Sequence, residues 1–583
     1  MAGPIRIAGF SGYLGDRRSA LDEAMAGDPV DVLIGDYLAE FTLAMLSARH
    51  RNDPSRGYVE YFLTQLEPHL PAIAERGTRV VVNAGGFNPA GLAEAVRRLV
   101  AEAGADLRVA HVEGDNVLPR LDALQAEGHD LASMDTGEPL SSWRGRPVAA
   151  NAYLGGWGIA TALGAGADIV VCGRVTDASL TVGPAAWWHE WERTDFDQLA
   201  AAVVAGHIIE CGPHATGGNF SGFAEIPGMI APGFPIAEID SDGTTVITKH
   251  SGHGGAVTVD TVTAQLVYEI QGPRYLNPDV TAHLDTVRLS EVGPDRVQLS
   301  GTTGSPPPPT TKVALFAPIG HQIVTTLYAT GLDIDEKVAL IREQAAALLD
   351  DPEAELDVSA IGVAAEDPQR QWDATVQVRI MATAAEREPL QRLVAGVGQL
   401  YLSSIPGFFT DTAARQAATP STRIDYWPAL LDVGAVGHLV VFDDGSRIEV
   451  EPSSVVEKPS QPEHPDPPVL EPRATRRVPL GRVAHARAGD KGGNSNMGLW
   501  VSDPDAWPWL RSLLTAEELH RLMPEAEGLE IVRHEFPNLR AVHFVLRGLL
   551  GTGGSSNLRV DPIGKAVGEF LRARLVDVPE ELL

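Results

Sequence analysis

Gly173-Arg174-Val175-Thr176-Asp177 sets an arginine three residues from an aspartate. A guanidinium in such a turn clamps a carboxylate or phosphate through two parallel hydrogen bonds, and Asp177 either orients it or acts as a base. A structural ion pair tying the loop to a sheet would use the same two residues. A second group spans His207-Ile208-Ile209-Glu210-Cys211-Gly212-Pro213-His214 and runs on to Thr216-Gly217-Gly218-Asn219-Phe220. His207, Glu210 and His214 are ligand types for zinc or a similar divalent ion, although their spacing fits neither H-E-x-x-H nor paired C-x-x-C. An acid/base histidine and a hydrogen-bonded histidine at a turn are the competing readings. Cys211 is a nucleophile only if exposed with a lowered pKa, and free cysteines are more often small buried hydrophobes. No G-x-S-x-G elbow is present, so a serine hydrolase of the usual α/β type lacks support.

Gly9-x-x-Gly12-x-x-Gly15 is followed by Asp16 and Arg17, a run whose backbone NH groups and cation can hold an anion. Asp36 comes about 20 residues later, where a dinucleotide fold places its ribose acid, but the glycine spacing is not G-x-G-x-x-G. A ligand-contacting loop and a plain tight turn are the other two readings. Lys249, near His250 and His253, and Lys312, after Pro306-Pro307-Pro308-Pro309, are cations suited to an enolate or a phosphate, although a solvated lysine near a hairpin is the commoner reading of each. Near the end, Ala488 to Gly498, with Asp490, Lys491 and Asn494, and Gly551 to Asn557 can form two NH-rich concavities. Neither matches a P-loop.

Five β-rich runs position the first of these groups: Ile5 to Ala8, Val30 to Ile34, Arg79 to Val82, Leu107 to His111 and Asp168 to Cys172. They alternate with amphipathic runs such as Leu92 to Ala103, the pattern of a parallel sheet with crossover helices. Ligands bind beyond the carboxyl ends of such strands. Asp36, Asn83, Gly86, Asp115 and Arg174 all lie there. Uncharged Pro147 to Ala167 reads as a buried helix with Gly-rich ends, and Trp187, Trp188 and Trp191 read as core before acyl-chain wall. Later signals are hairpins at Asp242-Gly243 and Asp443-Asp444-Gly445, helices at Asp335 to Leu349 and Glu386 to Tyr401, and a strand at Thr375 to Ile380. The terminal module reads strand, Gly-rich loop, strand, helix, two strands, Gly-rich loop, helix.

The 583 residues are 44% hydrophobic and 21% charged, enough to bury a sizeable core. With 46 Lys and Arg against 77 Asp and Glu, the net charge of −31 argues against nucleic acid and membrane surfaces as partners. Two cysteines, Cys172 and Cys211, leave no disulfide framework. Met1 to Arg6 lacks the cationic and apolar start of a secretory signal, so a cytoplasmic protein is expected.

Several long segments carry a resemblance to the acyclic terpene utilisation (AtuA) family over nearly the whole chain. They are Ser11 to Arg17, Gly35 to Glu40, Val82 to Gly86, Gly173 to Leu180, His207 to Phe220, Gly233 to Glu238 and Arg487 to Asn494. The last resembles the ferredoxin-like domain that ends these proteins. The expected fold is α/β: a parallel, Rossmann-like sheet with crossover helices over 1–200, an α+β part over 201–456, a Pro-rich linker over 457–476, and a small ferredoxin-like α+β domain over 477–583.

The resemblance implies breakdown of citronellol- and geraniol-type acids as coenzyme A thioesters, alongside acyl-CoA carboxylases. The step it implies is cleavage of a branched 3-hydroxyglutaryl-type thioester into acetate and a 3-oxoacyl-CoA. A lyase or hydratase is therefore expected, with Asp36, Arg174, Asp177 and His207 as catalytic residues. Substrate contacts are expected from Gly12, Gly15, Asp16, Arg17, Asn83, Gly86, Asp115, Asn219, Lys249, Asp490, Lys491 and Asn494. No motif demands a cofactor, and a divalent metal at His207, Glu210 and His214 stays open. A homo-oligomer and association with an acyl-CoA carboxylase are the expected assemblies. The alternatives are a non-catalytic partner subunit of that pathway and a nucleotide-cofactor enzyme.

Overall fold

The structure is a computed structural model that describes residues 3–411 and 418–583, so Met1 and Ala2 of the N-terminal run lie outside the described residues. Strands β1 (Ile5–Ser11), β2 (Val32–Gly35), β3 (Arg79–Val82) and β4 (Val109–Glu113) form as expected, within two residues at their starts. β5 (Ala149–Ala152) comes next, followed by β6 (Ile169–Cys172). Side by side, the parallel strands run β1-β2-β3-β6-β4. Runs such as Val80-Val81-Val82 and Ile169-Val170-Val171 are fully buried, as strands covered by helices on both faces must be. The helix expected from Leu92 spans Pro89–Glu102 and buries Leu92, Val96 and Val100.

Rossmann-like order is absent. Dinucleotide folds run 3-2-1-4-5-6 and open a crevice beside the first strand. Here β1 is flanked on its far side by antiparallel β7 (Pro235–Ile239), which pairs with β8 (Thr245–Lys249) in the expected hairpin. Strands Arg296–Ser300 and Arg288–Gly293 extend that edge, while Leu439–Val441 and Arg447–Glu449 extend the edge beyond β4. The result is one mixed sheet of 11 strands that draws on both sides of residue 200.

Pro147 to Ala167 was expected to be one buried helix; the helix spans only Trp157–Gly164, and β5 precedes it. The sequence Ala-Ala-Asn-Ala has little strand propensity of its own, and pairing with a 21-residue strand, Thr310–Thr330, overrides it. That long strand, which the sequence reading missed, is the spine of a second sheet with Glu355–Ile361, Thr375–Ala384 and Ser421–Asp432. Helices Ile334–Leu349 and Arg387–Gln399 cover it. Trp191 is buried, and Trp187 and Trp188 pack against the main core, so these rings are core.

The C-terminal module keeps most of the element order read from its sequence, with two differences: two helices stand where one was expected, and Thr475–Pro479 pairs with a final strand, Leu575–Pro579, that was not expected. Strands His485–Lys491, Asn494–Trp500, Ala541–Leu546 and Ile531–Phe536 form an antiparallel sheet in that spatial order, with helices Trp507–Leu513, Ala516–Leu522 and Val567–Ala573. The Pro-rich segment is tied down: Gln461 brackets Arg274, accepting from its backbone NH at 2.9 Å and donating to its carbonyl at 2.9 Å. Among the described residues, no helix is long and apolar enough to cross a membrane.

Candidate functional site

The carboxyl ends of β2, β3, β6 and β4 are level: Gly35 pairs with Val82, Val82 with Val171, and Val171 with His111. The polar residues that follow each strand therefore meet. Asn83 Nδ2 donates to Asp36 Oδ1 at 2.7 Å, and Asn83 Oδ1 accepts from the Tyr37 NH at 2.7 Å. The Arg174 NH donates to Asp115 Oδ2 at 2.9 Å, which also accepts from Asn151 Nδ2 at 2.7 Å. The Arg174 guanidinium is buried and hydrogen-bonds the Leu38 carbonyl and Asp177. It stacks 4.2 Å from the centre of the Tyr153 ring, which the segment after β5 delivers. Lys312, from the long strand, lies 4.8 Å from the same ring and 5.6 Å from that of Tyr426.

Two buried carboxyls in this row resist ionisation. Burial pushes Asp36 well up, Asp177 adds to this, and Arg174 and Asn83 oppose it. Burial also raises Asp115 to about 6.

The helix Phe196–Ile209 brings in the second group. Gly206 lets it approach closely: a Cβ there would lie 2.8 Å from both Cα and O of Ala178, so the helix end rests on the Arg174–Asp177 turn. His207, next in sequence, is fully buried and its Nδ1 is 3.1 Å from Glu210 Oε1. His207 Nε2 and Glu210 Oε2 are buried without a hydrogen-bond partner. Burial, with help from Lys491, lowers His207 to about 4. Burial and then Asp177 raise Glu210 well above the usual carboxyl range. Burial thus favours the uncharged imidazole and the uncharged acid of this pair, groups of the kind that carry general acid–base chemistry.

The third contribution comes from residues far along the chain. The Tyr275 ring lies 4.9 Å from His207 and 6.0 Å from the Lys491 ammonium, on the terminal module's first hairpin. Lys565 contacts Glu269 at 2.6 Å, Asp490 at 3.2 Å and the Tyr268 hydroxyl. Burial acts to raise Glu269, but Lys565 and Lys491 outweigh it and hold the carboxyl below its ordinary value. Tyr268 and Lys565 also line a cleft of about 650 Å³ between the loop around His214 to Met229 and the terminal module.

Of the expected site residues, Asp36, Asn83, Asp115, Arg174, Asp177, His207, Asp490 and Lys491 gather here, Asp115 as a buried brace for the Arg174 backbone. The others do not. Asp16 accepts from the NH groups of Gly12 at 2.9 Å and Arg17 at 2.8 Å, closing its own loop. Arg17 pairs with Glu23 at 2.7 Å and lies 4.8 Å from the Phe234 ring. Gly12 abuts the Cys211–Gly212 backbone, Gly15 the Tyr13 ring and Gly86 the Leu46 side chain, so each serves packing. The helix after this loop is only Ala20–Ala26, and Asp36 is engaged with Asn83, which removes the basis for a dinucleotide site. Lys249 is taken up by Asp295 at 3.1 Å and the His253 carbonyl at 2.7 Å. Asn494 clamps Asp135 at 2.9 Å. The two Gly-rich loops of the terminal module pack against each other: the Leu550 NH donates to the Gly493 carbonyl at 3.0 Å, and a Cβ at Gly493 would meet the Gly551 carbonyl.

The proposed metal trio also separates. The helix ends at Ile209, and a left-handed Gly212 starts a 3-10 turn that carries His214 away. His214 lies against Gln265, Asn219 and Arg487 instead, and no group of three His, Cys, Asp or Glu suited to a metal occurs among the described residues. Asn219 thus lines the 650 Å³ cleft rather than the strand ends. Burial raises the Cys211 thiol well above its normal range, the opposite of what a nucleophile needs.

The family model described as acyclic terpene utilisation family protein AtuA matches residues 5–442, and that of the AtuA ferredoxin-like domain matches 478–577. No curated protein and no solved structure matches the chain.

Proposed function

The chain belongs to the AtuA family, whose name points to acyclic terpene utilisation, and from that premise we propose that it is a lyase or hydratase acting on a branched acyl thioester at the strand-end cluster. The observation that carries this reading is the sealed His207–Glu210 pair, with two unsatisfied atoms, beside the cations Arg174 and Lys491.

Cleavage of a branched 3-hydroxyglutaryl-type thioester needs a base for the tertiary hydroxyl and a cation for the departing carboxymethyl group. His207 Nε2 takes the hydroxyl proton while Glu210 holds Nδ1. The bond between the carbinol carbon and the carboxymethyl carbon breaks, and its electron pair passes to the carboxymethyl fragment. Arg174 stabilises the charge that develops on that fragment's carboxylate. Returning the proton gives acetate, and the carbinol becomes the 3-oxo group of the remaining thioester. In a hydratase the same pair would move the proton of water.

The test is turnover of such a thioester by the full chain, with acetate and 3-oxoacyl-CoA read by mass spectrometry. His207→Gln should abolish product while keeping the melting temperature. Wild-type turnover by that variant would remove the pair from the chemistry.

A further inference from the structure

We propose that the C-terminal module is a lid over the His207 cluster: it swings about one end of its sheet to admit the substrate, and its return brings Lys491 beside His207. The need for an opening rests on the reading given under Proposed function; the lid itself rests on how the module's sheet meets the body.

The groups assigned to the chemistry are closed off. His207 is 0% exposed, Arg174 2%, and Asp36 and Glu210 6% each, so a substrate reaches them only if part of their surroundings moves. The module supplies part of those surroundings. Its Lys491 ammonium lies 6.0 Å from the Tyr275 ring, itself 4.9 Å from His207, and of the charges around His207 it bears on that ring most. Asn496 and Lys565, also from the module, hold the Glu269 NH and the Glu269 carboxylate.

The module has a core of its own, so it can part from the body without unfolding. Ala486, Ala488, Met497, Leu499, Val542 and Phe544 pack within it on one face of its sheet. Alternation sends the residues between them to the other face, and that face meets the body. A Cβ at Gly498 would lie 2.4 Å from Val267 Cβ, and one at Gly489 would lie 2.6 Å from the Tyr268 ring. The two ends of this face differ. At one end Phe536, Ala541 and Trp500 stand in register and join the body's hydrophobic core. At the other, the hairpin tip pairs Lys491 with Asn494, and Asn494 reaches Asp135 at 2.9 Å. The rows between leave Asn496 Nδ2, both ring nitrogens of His543 and Nδ1 of His534 buried without partners. Water satisfies such atoms when the interface parts, which offsets part of the cost of opening. The apolar row is therefore the hinge, and the tip that carries Lys491 travels farthest.

The Glu269 NH donates to Asn496 Oδ1 at 2.9 Å, so its exchange with solvent reports the lid. Hydrogen–deuterium exchange of the full chain, read by mass spectrometry at single amides, tests this. Glu269 should exchange about tenfold or more faster than Val170, which lies in the middle of the main sheet. Asp135 is exposed and accepts from the Gly493 NH and Asn494, so Asp135→Ala should speed Glu269 about tenfold further and leave Val170 unchanged. A variant carrying Asp135→Cys and Asn494→Cys, bridged by dibromobimane, should slow Glu269 about tenfold and stop thioester turnover. Exchange of Glu269 as slow as that of Val170 would overturn the proposal. So would a bridged variant in which Glu269 exchanges as in the wild type. Exchange needs no turnover, so a protein whose lid opens but which cleaves no thioester sinks the proposed reaction and leaves the lid standing.

Discussion

Replacing Glu210 by glutamine separates proton transfer from packing at the His207 pair. The side chains have the same shape, and a glutamine carbonyl oxygen can still accept from the His207 Nδ1–H across the 3.1 Å gap, so the buried hydrogen bond survives with Nε2 left as the base. What disappears is the proton that Glu210 can give or take. If the pair performs general acid–base catalysis, turnover should fall by about 10² to 10⁴, which is roughly 2.7 to 5.5 kcal/mol in the barrier. Stability carries an independent signature. The folded Glu210 carboxyl is raised, so in the wild type it favours folding fully below the ordinary carboxyl value of 4.5, and that contribution is lost as pH rises toward the folded value. Across that window the wild type loses about 1.4 kcal/mol per pH unit that Glu210→Gln does not. Thermal melts from pH 5 to 8 should therefore diverge, with the variant the more stable at the alkaline end. Superimposable melts would refute the buried-acid reasoning, and unchanged turnover of the thioester would refute the catalytic one.

Three further perturbations probe how the site is held. Arg174→Met leaves the buried Asp36 and its neighbour Asp177 without their cation and should cost about 3–5 kcal/mol in denaturant unfolding, with part regained in the double variant carrying Asp36→Asn; strict additivity would mean the two are not coupled. Gly206→Ala drives a Cβ to within 2.8 Å of Ala178 and should lower turnover by moving the Arg174–Asp177 turn off His207, whereas wild-type kinetics would show the contact to be slack. His543 is fully buried with both ring nitrogens unpartnered, and burial and then His534 hold it down to about 3. Its stabilisation is present above the ordinary histidine value and is lost as pH falls toward 3, so His543→Phe should remove about 3 kcal/mol of the stability difference between pH 7 and pH 4; an unchanged acid limb in urea titrations would contradict this.

The row of residues at the strand ends was legible because it depends on local order alone. Short β-branched runs each followed by glycine and a polar group place Asp36, Asn83, Asp115 and Arg174 at one rim, whatever the sequence of strands across the sheet. That sequence was not legible: nothing local to β1 reveals that its free edge is taken by a hairpin more than 200 residues later. The same limit explains the misplaced binders. Asp16, Arg17, Lys249 and Asn494 look like ligand groups because they sit beside glycines, yet each is satisfied inside the protein, Asn494 by an aspartate 359 positions away. His207, Glu210 and His214 have the spacing of one helix face, and they part because the helix stops at Ile209. Glu269, Tyr275 and Lys565 carried no signal, since no motif surrounds them and only the docking of the terminal module brings them to His207.

That docking also resolves a conflict of charge. A protein of net charge −31 repels an anionic thioester in bulk, and the site adds the carboxyl of Asp177, while burial holds Asp36, Asp115 and Glu210 toward their neutral acids. Left to itself the rim has Arg174 and Lys312 to set against that charge. Lys491 and Lys565 arrive from the terminal module, and both counter the same half-buried acid, Glu269, while Lys491 also bears on His207 and Glu210. The protonation states proposed for catalysis thus draw on two modules: His207 is held neutral first by its burial and then by Lys491, which the terminal module carries. A Lys491→Met variant should accordingly raise the pH at which His207 takes a proton, without moving Arg174 or Asp177. If the acidic limb of the rate profile stays where it is in the wild type, Lys491 has no electrostatic hold on the pair and the terminal module contributes burial alone.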